Sequence, residues 1–224
     1  MPRSAPLSPT LPTTLLLIDN QTGFLTHPAS TYFGPSRSNP NYEKNIQSLL
    51  SAFRTARHKN NKNNISIIHI AHSSLDPACP LHPSHPSNGI AFIPFAAPPD
   101  AGADAGSDEE PVLWKCVNSS FIGTELEAML RARGTRQLIV AGLTTDHCVS
   151  TSVRMAANLG VVNGGGVGGE GEKGRILLVG DACSAFEKGG FDAETVHEVS
   201  LASLDGEFAE VVGTAEVVAG LGGF

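Results

Sequence analysis

The stretch LIVAGLTTDHCVSTSVRMAANLG, residues 138–160, holds one complete strand–turn–helix unit. Residues 138–141 form a continuous apolar run, the mark of a strand buried on both faces. Gly-Leu-Thr-Thr follows as a turn. From about 146 to 159 the residues take a helical spacing, and Gly160 closes the helix. A strand that feeds a helix through a tight turn is one unit of a parallel sheet. A cysteine, Cys148, stands at the mouth of that helix.

The same grammar extends outward. Residues 15–18 read as a buried strand ending at Asp19, and 65–70 as a second, β-branched one. Between them, 41–58 follow a helical period with Ile46, Leu49, Leu50 and Phe53 on one side. Residues 112–115 make a short strand, and 124–133 a helix closed by Gly134. Downstream lie a strand at 176–179 ending at Asp181, a helix near 192–203 and a strand near 207–212. This alternation predicts an α/β fold, a parallel sheet covered on both faces, in one domain over 14–224. Residues 1–13 read as a flexible lead and 71–110 as a long irregular stretch, of the kind that is either functional or disordered. The glycines of 164–171 follow a helix and precede a strand, the wrong edge for a phosphate loop, so 163–173 is expected to be a Gly-rich surface insertion.

Bulk properties narrow the function. The 224 residues are 41% hydrophobic and 17% charged, enough for a core and too little charge for a disordered chain. A net charge of −7 with no basic stripe argues against nucleic acid and anionic membranes as partners. The start carries no long apolar run, so a cytoplasmic location is expected. The four cysteines, Cys79, Cys116, Cys148 and Cys183, contain no Cys-x-x-Cys, and free thiols are expected, with no metal and no cofactor.

In open parallel sheets, ligands bind outside the carboxyl ends of the strands. Asp19, Lys115 and Cys148 are predicted to share that rim. Taken singly each has a bland reading: a turn residue, a solvated lysine, a small buried hydrophobe. Together they make a site for covalent acyl transfer. A helix N-terminus and an ammonium favour a thiolate, Asp19 is suited to move its proton, and free backbone N–H groups at the helix start are suited to an oxyanion.

The blocks LLLIDNQTGF, VLWKCVNSSFIGTELEAMLR, LIVAGLTTDHCVSTSVRMAANLG, ILLVGDACSAF and HEVSLASLDGEFAEVVGTAEVV resemble, in order and spacing, the isochorismatase-like cysteine hydrolases over about residues 14–217. The resemblance implies a three-layer αβα sandwich, Rossmann-like, around a six-stranded, mainly parallel sheet. It implies a catalytic triad of Asp19, Lys115 and Cys148. It also implies a cis peptide at Leu143–Thr144 and an oxyanion hole formed by the N–H groups of Thr144 and Cys148. Gln21 and Phe24 match the pattern after the first catalytic acid and are expected at the pocket, together with His72, Phe121, Leu143 and Thr145. A small-molecule substrate and a homo-oligomer, dimer or tetramer, are the expected partners.

One departure matters. Nicotinamidases of this superfamily bind a metal through Asp-x-His after the second strand, and here His72 and Ser74 stand at those positions. That breaks the motif and leaves His69, His72, His82 and His85 as loop or pocket residues. His147 is read as a rim residue, since adjacent helical residues point apart, and Cys116 as packing on the far side of its strand. The leading function is hydrolysis of a small amide or ureide C–N bond through a Cys148 thioester. Vinyl-ether cleavage of isochorismate, needing Asp19 and no thiol, and a non-catalytic binding role are the alternatives.

Overall fold

The strands form because β-branched and apolar residues recur in runs long enough to be buried on both faces. The computed structural model describes residues 5–25, 30–59, 64–99, 106–107, 109–164 and 171–224. Its strands are β1 (Thr13–Ile18), β2 (Ile65–His72), β3 (Gly106–Ser107), β4 (Glu110–Lys115), β5 (Gln137–Leu143), β6 (Arg175–Ser184) and β7 (Glu210–Val212). The helices are α1 (Ser30–Phe33), α2 (Tyr42–Lys59), α3 (Leu126–Ala132), α4 (Ser150–Leu159), α5 (Ala193–Ala202) and α6 (Thr214–Leu221). The sheet order is β3-β4-β2-β1-β5-β6-β7. The six strands of the main sheet pair in parallel, as expected, and the two-residue β3 adds an antiparallel edge to β4.

Strand alternation sends successive side chains to opposite faces, and β1 shows it directly. Leu15 and Leu17 belong to one core with Ile46, Leu49 and Phe53 of α2 and Val217 of α6. Leu16 and Ile18 belong to the other, with Leu126 and Leu130 of α3 and Val153 of α4. This gives three layers, helices on either side of the sheet. Parallel register then aligns the strand ends. Ile18 sits opposite Ile70 and Gly142, and His72 opposite Lys115, so the carboxyl ends of β1, β2, β4 and β5 open on one rim.

Several expectations change. The helix after β5 starts within a residue of the expected place but opens with a wide turn, Thr145–Val149, where the Thr144 carbonyl accepts from the N–H groups of both His147 and Val149 at 3.1 Å. Strand β6 runs past Asp181 to Ser184. Asp181 Oδ1 instead accepts from the backbone N–H (2.8 Å) and hydroxyl (2.7 Å) of Thr214, capping α6, a helix whose start has no local side-chain cap and was not foreseen. The described part of the 1–13 lead is tethered: Leu7 is buried, and Ser8 exchanges two hydrogen bonds with Gln137 at 2.9 and 3.0 Å. Most of the Gly-rich insertion, 165–170, lies outside the described residues, and its flanks are joined by the Gly164 N–H donating to the Glu172 carbonyl. Within the 71–110 stretch, Gly89 and Ala91 carbonyls accept from Gly23 and Thr22 N–H groups at 2.8 Å, which lays that segment along the chain after Asp19. No described helix is long and apolar enough to cross a membrane.

Candidate active site

Each residue of the rim reaches its place by a local device. Asp19 follows β1 with φ +52°, a left-handed conformation that Asp tolerates better than most residues. Its N–H donates to the Ile70 carbonyl at 2.9 Å, so the turn is locked to β2 while the carboxyl points across the rim. Lys115 is the last residue of β4. Cys148 lies inside the wide turn that opens the helix after β5. That turn is reached through Gly142, where φ is +135° and a Cβ would stand 2.0 Å from the Ile18 carbonyl oxygen, so only glycine fits. The Leu143–Thr144 peptide is cis.

These devices bring the three residues together. The Lys115 ammonium donates to Asp19 Oδ2 at 2.7 Å, to Cys148 Sγ at 3.3 Å and to His72 Nδ1 at 3.2 Å. The reactive atoms of Asp19, His72 and Cys148 lie within 4.8 Å of one another. Both side chains of the Asp19–Lys115 pair are fully buried. The second carboxylate oxygen, Asp19 Oδ1, is buried and has no hydrogen-bond partner among the described residues. Asn118 Nδ2 approaches the sulfur at 3.8 Å.

The electrostatics follow from this packing. Burial raises the Cys148 thiol pKa and the Asp19 charge raises it further, while Lys115 pulls it down. The resting thiol therefore keeps its proton. Burial opposes the Lys115 charge, but Asp19 and Cys148 outweigh it and hold the ammonium above its ordinary pKa. His72 is pushed down, first by burial and then by the ammonium beside it.

A cavity of about 360 Å³ opens over these groups. Phe24, Phe33 and Phe186 form an aromatic wall, with ring centroids 4.4 to 6.3 Å apart. Of the residues expected at the pocket, Phe24 and His72 line it, and Thr144 and Cys148 lie on its floor. The other four do not line it. Leu143 packs into the core and Phe121 against the other core cluster. Thr145 turns away to share a 2.8 Å hydrogen bond with His197 Nδ1. Gln21 is buried away from the cavity lining, bonded to the His72 backbone. Cys116, expected to pack, is exposed and lines the cavity, because β4 ends one residue earlier and its alternation with it. His147 stands half-exposed at the mouth beside Asp146 and Lys188.

The four histidines between 69 and 85 separate, His69 and His72 lying in β2 and His82 and His85 beyond it. His69 is buried against Glu110 at 3.0 Å, while His82 and His85 bond Ser84 and Ser87. Sequence reading missed Asn118, Phe33, Phe186, Cys79 and Lys188 as lining residues. Asn118 and Phe186 follow strand ends on the same rim, a signal that was present, whereas Phe33 comes from the four-residue helix α1 and Cys79 from an irregular segment, neither with a periodic cue.

A family model described as the Isochorismatase domain matches residues 13–216. The chain is 40% identical over 116 residues to the uncharacterised isochorismatase family protein YrdC of Bacillus subtilis (strain 168), a match covering 50% of this chain and 55% of YrdC. A second Bacillus subtilis relative, YddQ, is 30% identical over 108 residues, so the matches span about half the length of these curated relatives. A crystal structure of a proposed hydrolase of the isochorismatase family from Chromobacterium violaceum ATCC 12472 shares 35% identity, with a TM-score of 0.76 over 99% of this chain and 100% of that one. A cysteine hydrolase from Pseudomonas syringae pv. phaseolicola 1448A shares the fold, with a TM-score of 0.73 and 23% identity over 100% and 99% of the two chains.

Proposed function

The chain belongs to the isochorismatase family, and from that premise we propose that it is a hydrolase that cleaves a small amide or ureide C–N bond through a Cys148 thioester. The observation that carries this reading is the single ammonium held between a buried carboxylate and a buried thiol, at 2.7 and 3.3 Å. An ammonium there stabilises negative charge on either neighbour, so it lowers the cost of moving one proton between them.

The steps follow. The thiol proton passes to the free oxygen, Asp19 Oδ1, and the thiolate attacks the substrate carbonyl carbon. The carbonyl oxygen becomes an oxyanion, which the N–H groups of Thr144 and Cys148 receive. As the C–N bond breaks, Asp19 returns the proton to the departing nitrogen, leaving a neutral amine or ammonia and an acyl-Cys148 thioester. Asp19 then takes a proton from water, the hydroxide attacks the thioester, and the acid product leaves as Cys148 recovers its proton from Asp19. Lys115 remains charged throughout.

Isochorismate cleavage fits the cavity less well. That substrate carries two carboxylates. Among the described lining residues there is no arginine, and Lys188, the lysine at the wall, is paired with Asp146 as Lys115 is with Asp19.

The test is a panel of small amides and ureides with isochorismate alongside. Turnover of an amide, an acyl mass added to Cys148 in a rapid quench, and loss of at least about 1,000-fold activity in a folded Cys148→Ala protein are expected. Pyruvate release from isochorismate that survives Cys148→Ala, or no turnover of any panel member, overturns the reading.

A further inference from the structure

His72 is the one group of the cluster to which the thioester mechanism assigns nothing, and it is built in with care. It ends β2 directly opposite Lys115 on the adjacent parallel strand β4, so the two side chains leave the sheet on the same face. Gln21, fully buried, clamps its backbone from both sides: Oε1 accepts from the His72 N–H at 2.8 Å, and Nε2 donates to the His72 carbonyl at 2.9 Å. The same Nε2 donates to the Ile90 carbonyl at 2.8 Å, tying the clamp to the 71–110 segment. The peptide of His72 is therefore held independently of its side chain.

The side chain is then constrained by elementary valence. An ammonium offers three N–H donors and no acceptor. Lys115 meets three acceptors, Asp19 Oδ2, Cys148 Sγ and His72 Nδ1, at 2.7, 3.3 and 3.2 Å. Lysine is a rotatable point charge on a flexible stem, and with two acceptors alone it can pivot about the Asp19 bond. The third acceptor removes that freedom. Because the ammonium only donates, Nδ1 must carry a lone pair, so the ring is neutral with its hydrogen on Nε2. A protonated ring would set N–H against N–H and a second positive charge beside the first.

We infer that His72 is a positioning residue: its neutral imidazole takes the third N–H of Lys115 and so holds the ammonium between Asp19 and Cys148. The inference rests on the thioester reading for its kinetic consequence, and on geometry alone for its spectroscopic one. The charged and titratable groups that face the ring are Lys115 from β4, Asp19 from the end of β1 and Cys148 from the turn after β5.

Two His72 variants, and NMR of wild type beside Lys115→Met, test it. His72→Asn keeps an acceptor, Oδ1, near the place of Nδ1, and His72→Leu keeps the volume with no acceptor. On the best amide of the panel, His72→Leu is expected to lose about tenfold or more in kcat with KM changed less than about threefold, the pattern of an interaction that matters in the transition state. His72→Asn is expected to stay within about threefold of wild type. Independently of turnover, NMR of labelled histidine should show His72 with its proton on Nε2 at pH 7.5, and its pKa should rise by more than about one unit in Lys115→Met as the neighbouring charge is removed. A His72→Leu protein as fast as wild type, an Asn variant as slow as the Leu one, a proton on Nδ1, or an unmoved His72 titration in Lys115→Met each overturns the inference. If Cys148→Ala keeps its activity while the NMR result holds, the mechanism fails and the placement of His72 stands.

Discussion

Lys115→Met isolates the charge at the centre of the site. Methionine keeps the stem and removes the ammonium. Asp19 Oδ2 loses its 2.7 Å donor, and Oδ1 already lacks a partner, so a fully buried carboxylate is left with no hydrogen bond from any described side chain. Breaking a buried ion pair from one side costs about 3–5 kcal/mol. For a chain of this length that corresponds to a fall in Tm of roughly 6–20 °C. Asp19→Asn on the same background removes the stranded charge, and Asn tolerates the left-handed backbone that Asp19 adopts. The double variant Asp19→Asn/Lys115→Met is expected to recover to within about 2 kcal/mol of wild type. Urea denaturation of all four proteins at pH 7.5 closes the cycle. A Lys115→Met protein within about 1 kcal/mol of wild type, or a double variant no more stable than Lys115→Met, refutes the picture of Lys115 as the buried counter-charge of Asp19.

Two further predictions concern the frame around the site. Glu110 is buried between Arg54, which donates at 2.8 and 2.7 Å, and His69 at 3.0 Å. Burial pushes its carboxyl up, but the Arg54 and His69 hydrogen bonds outweigh it and hold the pKa at about 2, below the ordinary 4.5. A depressed carboxylate stabilises the fold above its unfolded pKa and loses that contribution as pH falls toward the folded value. At 1.36 kcal/mol per unit the contribution is roughly 3 kcal/mol at neutral pH. Glu110→Gln should therefore lower the urea-derived stability by about that amount at pH 7, and the gap should narrow below pH 4.5; a gap independent of pH contradicts the linkage. Gly142→Ala should cost on the order of 3 kcal/mol, because its Cβ meets the Ile18 carbonyl at 2.0 Å in a backbone region reserved for glycine. A loss under about 1 kcal/mol by the same assay shows that the strand end relaxes around the methyl group.

The regions legible in sequence are those where one period governs. Apolar runs at 15–18, 138–141 and 176–179 and the helical spacing of 41–58 gave strands and helices close to their observed places. The three polar residues at strand ends were legible because parallel topology sends such ends to one rim. Reading failed where partners lie far apart in the chain. Helix α6 takes its cap from Asp181, 33 residues away, so no local start signal marks it. Gln21 matches a pocket pattern by position yet does not line the cavity, since its amide complements the His72 backbone 51 residues on. Thr145 is likewise claimed by His197 of α5, and Cys116 is freed because its strand stops one residue before it.

Alternating strands and helices, with an acid, an ammonium and a thiol at the ends of three such units, can be read from the order of residues alone. Periodicity and strand-end chemistry are local properties, carried in order along the chain. Packing between distant elements is what makes one ammonium bond Asp19, Cys148 and His72 together, and what leaves Asp19 Oδ1 buried without a hydrogen-bond partner among the described residues. Those facts depend on the register of β2 against β4 and on the buried turns after β1 and β5. Such distances are set by packing between elements and have no counterpart in the order of residues.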